Sequence, residues 1–214
     1  MIPAGRTTIR PARSDDAAFI ARIILSAQRG PLPRGWIDIA LDRDEPECLS
    51  FIARLAVARH RSWYHVAHFL VAEVDDVPAA ALCAMPASGT VVAARAAIEE
   101  VAAEAGIDAA GIVRRGAYAR NCWVQGGESD WLIEHVARDK AYRGGGLVQE
   151  LIGQALAAGK AAGYAQASIS FLIDNLAAER CYAKAGFAFA EEKRDAAFEV
   201  LTGAPGFRRF ARAM

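Results

Sequence analysis

The chain has 214 residues, of which 54% are hydrophobic and 23% charged, and its 25 basic and 25 acidic residues leave a formal net charge of +0. That length suits one domain spanning residues 1–214, with a core large enough to need neither disulfides nor metals, and the balanced charge gives no global field to gather nucleic acid or an anionic membrane. Cys48, Cys83, Cys122 and Cys181 are scattered with no CxxC pair, which argues against zinc and against a disulfide framework and fits free thiols in a reducing cytoplasm.

In chain order, Met1–Arg10 lacks the apolar core of a signal peptide, and Thr7–Arg10 reads as a short strand. Ser14 is placed to cap a helix whose apolar face is Ile20, Ile23, Ile24 and Ala27. Gly30–Gly35 is loop, and Asp44 with Glu47 forms a capping box, with Pro46 in the first turn of a helix expected to reach about Arg59. His68–Val74 and Pro78–Ala84 read as two strands joined by a tight turn at Asp75-Asp76. The longest apolar run, Val77–Ala87, is too short to span a bilayer.

Residues 89–127 change character. Val91, Ile98, Val101, Ala102 and Ala105 recur at helical spacing up to Gly106, and Asp108 can cap a second short helix running towards Cys122. This stretch reads as a helical insertion between strands. Trp131–Arg138 is then a strand, Arg143–Gly146 a turn, Leu147 to about Ala162 a strong helix, Ala167–Leu172 a strand, and Asn175–Ala185 a helix ended by Gly186. Phe187–Glu191 and Phe207–Ala211 read as a final strand pair. The strand–helix–strand unit around the glycines implies parallel neighbours with a right-handed crossover.

The glycines of Arg143-Gly144-Gly145-Gly146-Leu147 stand where a strand gives way to a helix. There the backbone can approach a ligand closely, and the helix dipole and free amides suit a phosphate or pyrophosphate. A Walker loop would need Gly-Lys-Ser/Thr at its end, and a dinucleotide fingerprint would need glycine where Gln149 stands, so both readings fail and coenzyme A remains the common candidate. Downstream, Asn175 and Tyr182 stand nearly two turns apart on one helix face.

Together these segments resemble the coenzyme A loop and following helix of the GNAT superfamily of N-acetyltransferases. The family's loop, Q/R-x-x-G-x-G/A, is matched through the first five places by Arg143, Gly144, Gly145, Gly146 and Leu147, while Val148 departs from it. The second motif, N-x-x-A-x-x-x-Y-x-x-x-G-F, is matched at Asn175, Ala178, Tyr182, Gly186 and Phe187. The match covers about Trp131–Phe187; the N-terminal half agrees only in element order.

The resemblance implies an α/β (α+β) GNAT-like domain: a mixed central sheet with splayed parallel strands, helices on both faces and the insertion at about 89–127. It implies acetyl-CoA as cosubstrate and no metal, with pantetheine on the backbone of Val136, Ala137 and Arg138. The pyrophosphate would sit on the amides from Gly144 to Val148, and Asn175 would belong to the cofactor site. Arg138 stands where an aliphatic residue is usual. A base commonly sits nine residues before the loop arginine, the place of Glu134, and Tyr182 would protonate the departing thiolate.

On the strand Glu134 and His135 point to opposite faces and Glu134 shares a face with Val136, so Glu134 is the first choice of base and His135 the alternative. A backbone N–H near Val136 would donate to the oxyanion. The function expected is acetyl transfer from acetyl-CoA to a small-molecule or peptide primary amine by direct attack in a ternary complex. The rival is a non-catalytic acyl-CoA-binding or regulatory module. Neither nucleic acid nor membrane is expected as a partner, and a homodimer is allowed. The insertion is expected to line the acceptor side, with Tyr118 and Trp123 as an apolar wall and Arg114, Arg115 and Arg120 facing an acidic group.

Overall fold

A computed structural model describes residues 6–142 and 146–214. Its seven strands form one mixed sheet in the order β1-β2-β3-β4-β5-β7-β6. They are β1 (Thr7–Pro11), β2 (Phe69–Val74), β3 (Val77–Pro86), β4 (Trp131–Arg138), β5 (Gln166–Leu172), β6 (Ala188–Arg194) and β7 (Gly206–Ala213). The helices are α1 (Ala17–Arg29), α2 (Trp36–Leu41), α3 (Glu45–Leu55), α4 (Thr90–Ala105), α5 (Ala109–Gly116), α6 (Leu147–Ala161), α7 (Leu176–Lys184) and α8 (Ala196–Thr202).

Two cores lie on opposite faces of the sheet. On one, α1 and α3 bury Ile20, Ile24, Ile52 and Leu55 against Phe69, Ala81 and Cys83. On the other, α6 buries Leu151, Ile152 and Ala155 against Leu82, Ile133 and Ile169. The insertion is part of the first core: Ala97, Ile98, Val101 and Ile112 are buried in it.

Most expected elements form, with some differences of physical origin. Ser14 does not cap α1. It opens a short 3-10 turn, and Asp16 accepts from the Arg13 N–H at 2.7 Å while pairing with Arg10. Asp44 does cap α3, accepting from the Glu47 N–H at 3.0 Å, but α3 stops at Leu55 rather than Arg59. Asp75 and Asp76 both take positive φ, 51° and 63°, as a two-residue hairpin with right-handed strand twist requires.

Two short helices have no counterpart in the expected elements. In α2, Asp38 accepts from the Gly35 N–H at 2.7 Å and the Arg115 guanidinium donates to the Ala40 and Leu41 carbonyls, so much of its support comes from far along the chain. Asp195 caps α8 by accepting from the Phe198 N–H at 2.8 Å.

The parallel pair is the feature that makes a site. Strands β4 and β5 pair at Trp131↔Ala167, Leu132↔Ser168 and Ile133↔Ile169, and no further. The start of the pair is clamped by buried Asp130, which accepts from Ser168 Oγ and, at 3.0 Å each, from the Gly127 N–H and Gln166 Nε2. Beyond Ile133 and Ile169 the strands part, as the sequence reading expected of these two strands. On its other side β4 stays paired with β3, through Ala81↔Ala137 and Ala80↔Arg138.

Candidate active site

A cavity of about 860 Å³ opens where β4 and β5 separate. Glu134 to Arg138 of β4 form its floor, Val148, Ala178, Cys181 and Tyr182 one flank, and the α1–α2 loop, the Trp63-Tyr64 segment and the insertion the other. Because β5 has turned away, the edge of β4 that faces it carries no ladder partner from Glu134 onward. An extended ligand with amide groups can pair there as a strand would.

A β-bulge shapes the floor. Between Ala81↔Ala137 and Cys83↔Glu134 the register shifts, so His135 and Val136 together oppose Leu82, and His135 takes φ 50°. The extra residue breaks the alternation assumed for an unbroken strand. Glu134 lies opposite Cys83 and His135 stacks on Tyr64 (5.5 Å between ring centroids) and Phe69 (6.3 Å), all members of the α1-side core, whereas Val136 packs with the α6-side core. Glu134 and His135 therefore share a face, and Glu134 and Val136 do not.

The chemistry of the two neighbours follows from their surroundings. Both are half-buried and line the cavity. Removal from water pushes the Glu134 carboxyl up to about 8 and the His135 imidazole down to about 3. His135 is neutral at physiological pH, and its buried Nε2 has no hydrogen-bond partner among the described residues. Tyr182, buried and edge-on to Phe171 at 5.4 Å, has its phenol pushed up by burial, then by Cys181 and Glu134, so it keeps its proton.

The loop and helix motifs converge on the other flank. Arg143, Gly144 and Gly145 lie outside the described residues. Gly146 caps α6 at φ 76°, a conformation that favours glycine, and a Cβ built there meets nothing within 4 Å among the described residues. Leu147 is buried as an anchor, while Val148 lines the cavity. The Gln149 N–H donates to the Gly146 carbonyl at 2.9 Å, whereas the Leu147 and Val148 amides precede any intrahelical acceptor, so this end of the helix suits an anion. Asn175 caps α7, its Oδ1 accepting from the Ala178 N–H at 3.2 Å, and lines the same cavity. The residues fit a pantetheine diphosphate ligand: an open strand edge, a helix N-terminus and a neutral tyrosine lie around one space.

The family model for the acetyltransferase (GNAT) family matches residues 39–187. The chain belongs to the GNAT family. It is an acetyltransferase and hence an acyltransferase enzyme. No curated protein matches it. Among solved structures, one described as an acetyltransferase is 20% identical, with a TM-score of 0.70 over 96% of this chain and 98% of that one. The Drosophila melanogaster polyamine N-acetyltransferase, an enzyme that catalyses the formation of N-acetylagmatine, is 12% identical, with a TM-score of 0.58 over 98% and 100%. The Salmonella typhimurium protein yncA, solved with its cofactor acetyl-CoA, is 15% identical, with a TM-score of 0.53 over 97% and 93%. At these identities the likeness is one of fold.

The insertion of this GNAT chain lines the cavity through α4, α5 and the turn after them, including Tyr118, Arg120 and Trp123. Arg114 and Arg115 do not take the part expected of them. Arg114 pairs with Asp108 at 3.1 Å, and Arg115 closes the C-terminal end of α2. Arg34 and Arg95, which carried no motif, line the cavity instead. Trp36, Trp63, Phe198 and Phe207 also line it without a signal in spacing. Their one common trait in the sequence is aromatic character outside the periodic core positions.

Proposed function

We propose that the chain transfers an acetyl group from acetyl-CoA to a primary amine by direct attack in a ternary complex. The observation that carries this reading is the separation of β4 from β5 after Ile133 and Ile169, which leaves a free strand edge running from the carboxyl of Glu134 towards the N-terminus of α6. Pantetheine would pair with the backbone of Val136, Ala137 and Arg138, and the pyrophosphate would lie on the amides from Gly144 to Val148, with Asn175 holding the entry to α7. That two of the structural relatives are an acetyl-CoA complex and an amine acetyltransferase supports the same reading.

The residues divide the proton work. An alkylammonium must lose a proton before its nitrogen can attack a thioester carbonyl carbon, and at pH 7 this costs about 4–5 kcal/mol for an amine with pKa near 10.4. Glu134 takes that proton, directly or through a water. As the C–N bond forms, the carbonyl oxygen gains charge, and a backbone N–H at the bulge near Val136 donates to it. When the C–S bond breaks, the sulfur leaves as a thiolate and takes the Tyr182 proton, and the second proton shed by the acylated nitrogen returns Tyr182 to the neutral phenol. Glu134 is preferred to His135 because an imidazole held near 3 is too weak a base, whereas a carboxyl near 8 is matched to the task.

The 214 residues form one acetyltransferase domain in this reading, and the four free cysteines support a cytoplasmic location. Incubation with acetyl-CoA and a panel of primary amines, read as released thiol, tests the proposal. Thiol release that depends on the amine is the expected result. Acetyl-CoA binding without thiol release from any amine would assign the chain instead to a non-catalytic acyl-CoA-binding module.

A further inference from the structure

The two flanks of the cavity differ in chemistry. The flank beside α6 and α7 is the one assigned to coenzyme A. The other is walled by a continuous run of aromatic rings. Tyr64 meets Trp63 at 5.9 Å between centroids, Trp63 meets Trp123 at 6.4 Å, Trp123 meets Phe207 at 5.2 Å, Phe207 meets Phe198 at 5.3 Å, and Phe198 stacks on Tyr118 at 5.5 Å. All six line the cavity. The run begins beside the bulge, where Tyr64 stacks on His135, and ends on the insertion and α8.

The charged side chains that line this wall are arginines, although Asp38 behind it acts on Tyr118. Arg34, Arg95 and Arg120 line the cavity from three separate segments, and Glu134 is the one carboxylate among its described lining residues. Arg34 is offset by Asp42 at 3.7 Å and Arg95 by Glu99 at 2.8 Å, but neither acidic partner lines the cavity, and no ion pair of Arg120 is recorded among the described residues. An acceptor carrying a second positive charge would need a carboxylate away from the reacting amine. Among the described residues this flank presents none to the cavity, and its arginines oppose that charge. An aromatic face can attract a cation, but that attraction must here overcome nearby like charges.

Resting on the acetyltransferase reading above, we propose that the acceptor is a primary amine borne on an apolar or aromatic body without a second cationic group, and that Trp63, Trp123 and Tyr118 select it. The reacting amine meets Glu134, and the body lies along the ring wall, where burial of its apolar surface gives the binding energy. This differs from the polyamine N-acetyltransferase of similar fold, which forms N-acetylagmatine.

Steady-state kinetics with tryptamine, 2-phenylethylamine, agmatine, putrescine and spermidine test the proposal. The two aromatic monoamines should give kcat/KM about tenfold or more above the three polycations. Trp123→Ala should raise KM for tryptamine about tenfold, the loss expected for an aromatic contact, while acetyl-CoA affinity, measured by calorimetry, is retained. Arg120→Glu should raise kcat/KM for agmatine a few-fold and lower the preference for tryptamine. Should Trp123→Ala fail to fold, the wild-type preference and the Arg120 variant still decide. Agmatine or spermidine turned over as well as tryptamine would overturn the aromatic-monoamine assignment and leave acetyl transfer standing. Thiol release from no amine would overturn both, with calorimetry showing whether coenzyme A binding survives.

Discussion

Glu134 pays for its position in stability, and that is measurable apart from catalysis. Its carboxyl titrates near 8 in the folded chain against an ordinary value of 4.5, so the folded state holds the proton more tightly between those values. Stability attributable to this group is full below about pH 4.5 and is lost as pH rises through about 8. Glu134→Gln should therefore be the more stable protein at pH 9 by about 1–3 kcal/mol, after allowance for cavity water, and differ little near pH 4. Denaturant titrations at the two pH values check this. In kinetics the direction is opposite: wild-type kcat/KM should rise through a limb near pH 8 that Glu134→Gln lacks, leaving only the rise from amine deprotonation. An overlay of the two profiles would pass the base to bulk water.

Tyr182 is tested by removing one oxygen. Tyr182→Phe keeps the ring against Phe171 and should lower kcat roughly 10²–10⁴-fold in single-turnover assays, with acetyl-CoA affinity almost unchanged. Near-normal kcat would make it a packing residue. The sequence pointed to both residues, Tyr182 by motif and Glu134 by its distance from the loop arginine, and both line the cavity. Their facing was not legible there. The bulge at His135 and Val136 arises from pairing with β3, and nothing in Trp131–Arg138 alone marks the extra residue. Alternation then assigned His135 to the wrong face, and its neutral state became visible only with Tyr64 and Phe69 stacked around it.

Among elements, those with a local cause were legible and those held from a distance were not. The helix α6 has a buried stripe and a glycine start, and β4 was bounded correctly at Trp131–Arg138. By contrast α2 is short and depends on Arg29, which pairs with Asp38 at 2.7 Å, and on Arg115, so no window of sequence specifies it. It nevertheless positions the acceptor wall. Trp36 donates from Nε1 to the Gly116 carbonyl at 3.0 Å, and a Cβ on Gly116 would come within 2.5 Å of the Trp36 ring. At the other flank, Gly146→Asp would put a side chain at φ 76° and a negative charge beside the α6 amides. We expect acetyl-CoA affinity to fall by at least about tenfold in calorimetry, an electrostatic and steric penalty of roughly 1.4 kcal/mol or more. Unchanged affinity in a folded Gly146→Asp protein would remove the pyrophosphate from this site.

At the scale of the molecule, the insertion is built into the protein and not laid over it. Residues 89–127 connect β3 to its antiparallel neighbour β4, and a hairpin could have made that connection in a few residues. Instead α4 packs on α3, α5 packs on α2, and Ile98, Val101 and Ile112 complete the core that α1 and α3 begin. Replacing the whole segment with a flexible linker would strip one face of that core, so loss of acceptor recognition in such a variant would not separate specificity from unfolding. A single buried truncation does separate them. Ile112 is fully buried, and Ile112→Ala should cost about 2–5 kcal/mol by transfer and cavity terms. If the insertion shares one cooperative unit with the sheet, far-ultraviolet dichroism and tryptophan fluorescence should report a single transition at a lowered Tm. A Tm equal to wild type, or an early transition seen by fluorescence alone, would mean that the insertion melts by itself. The wall it contributes would then be a mobile cover rather than a fixed surface for selecting the amine.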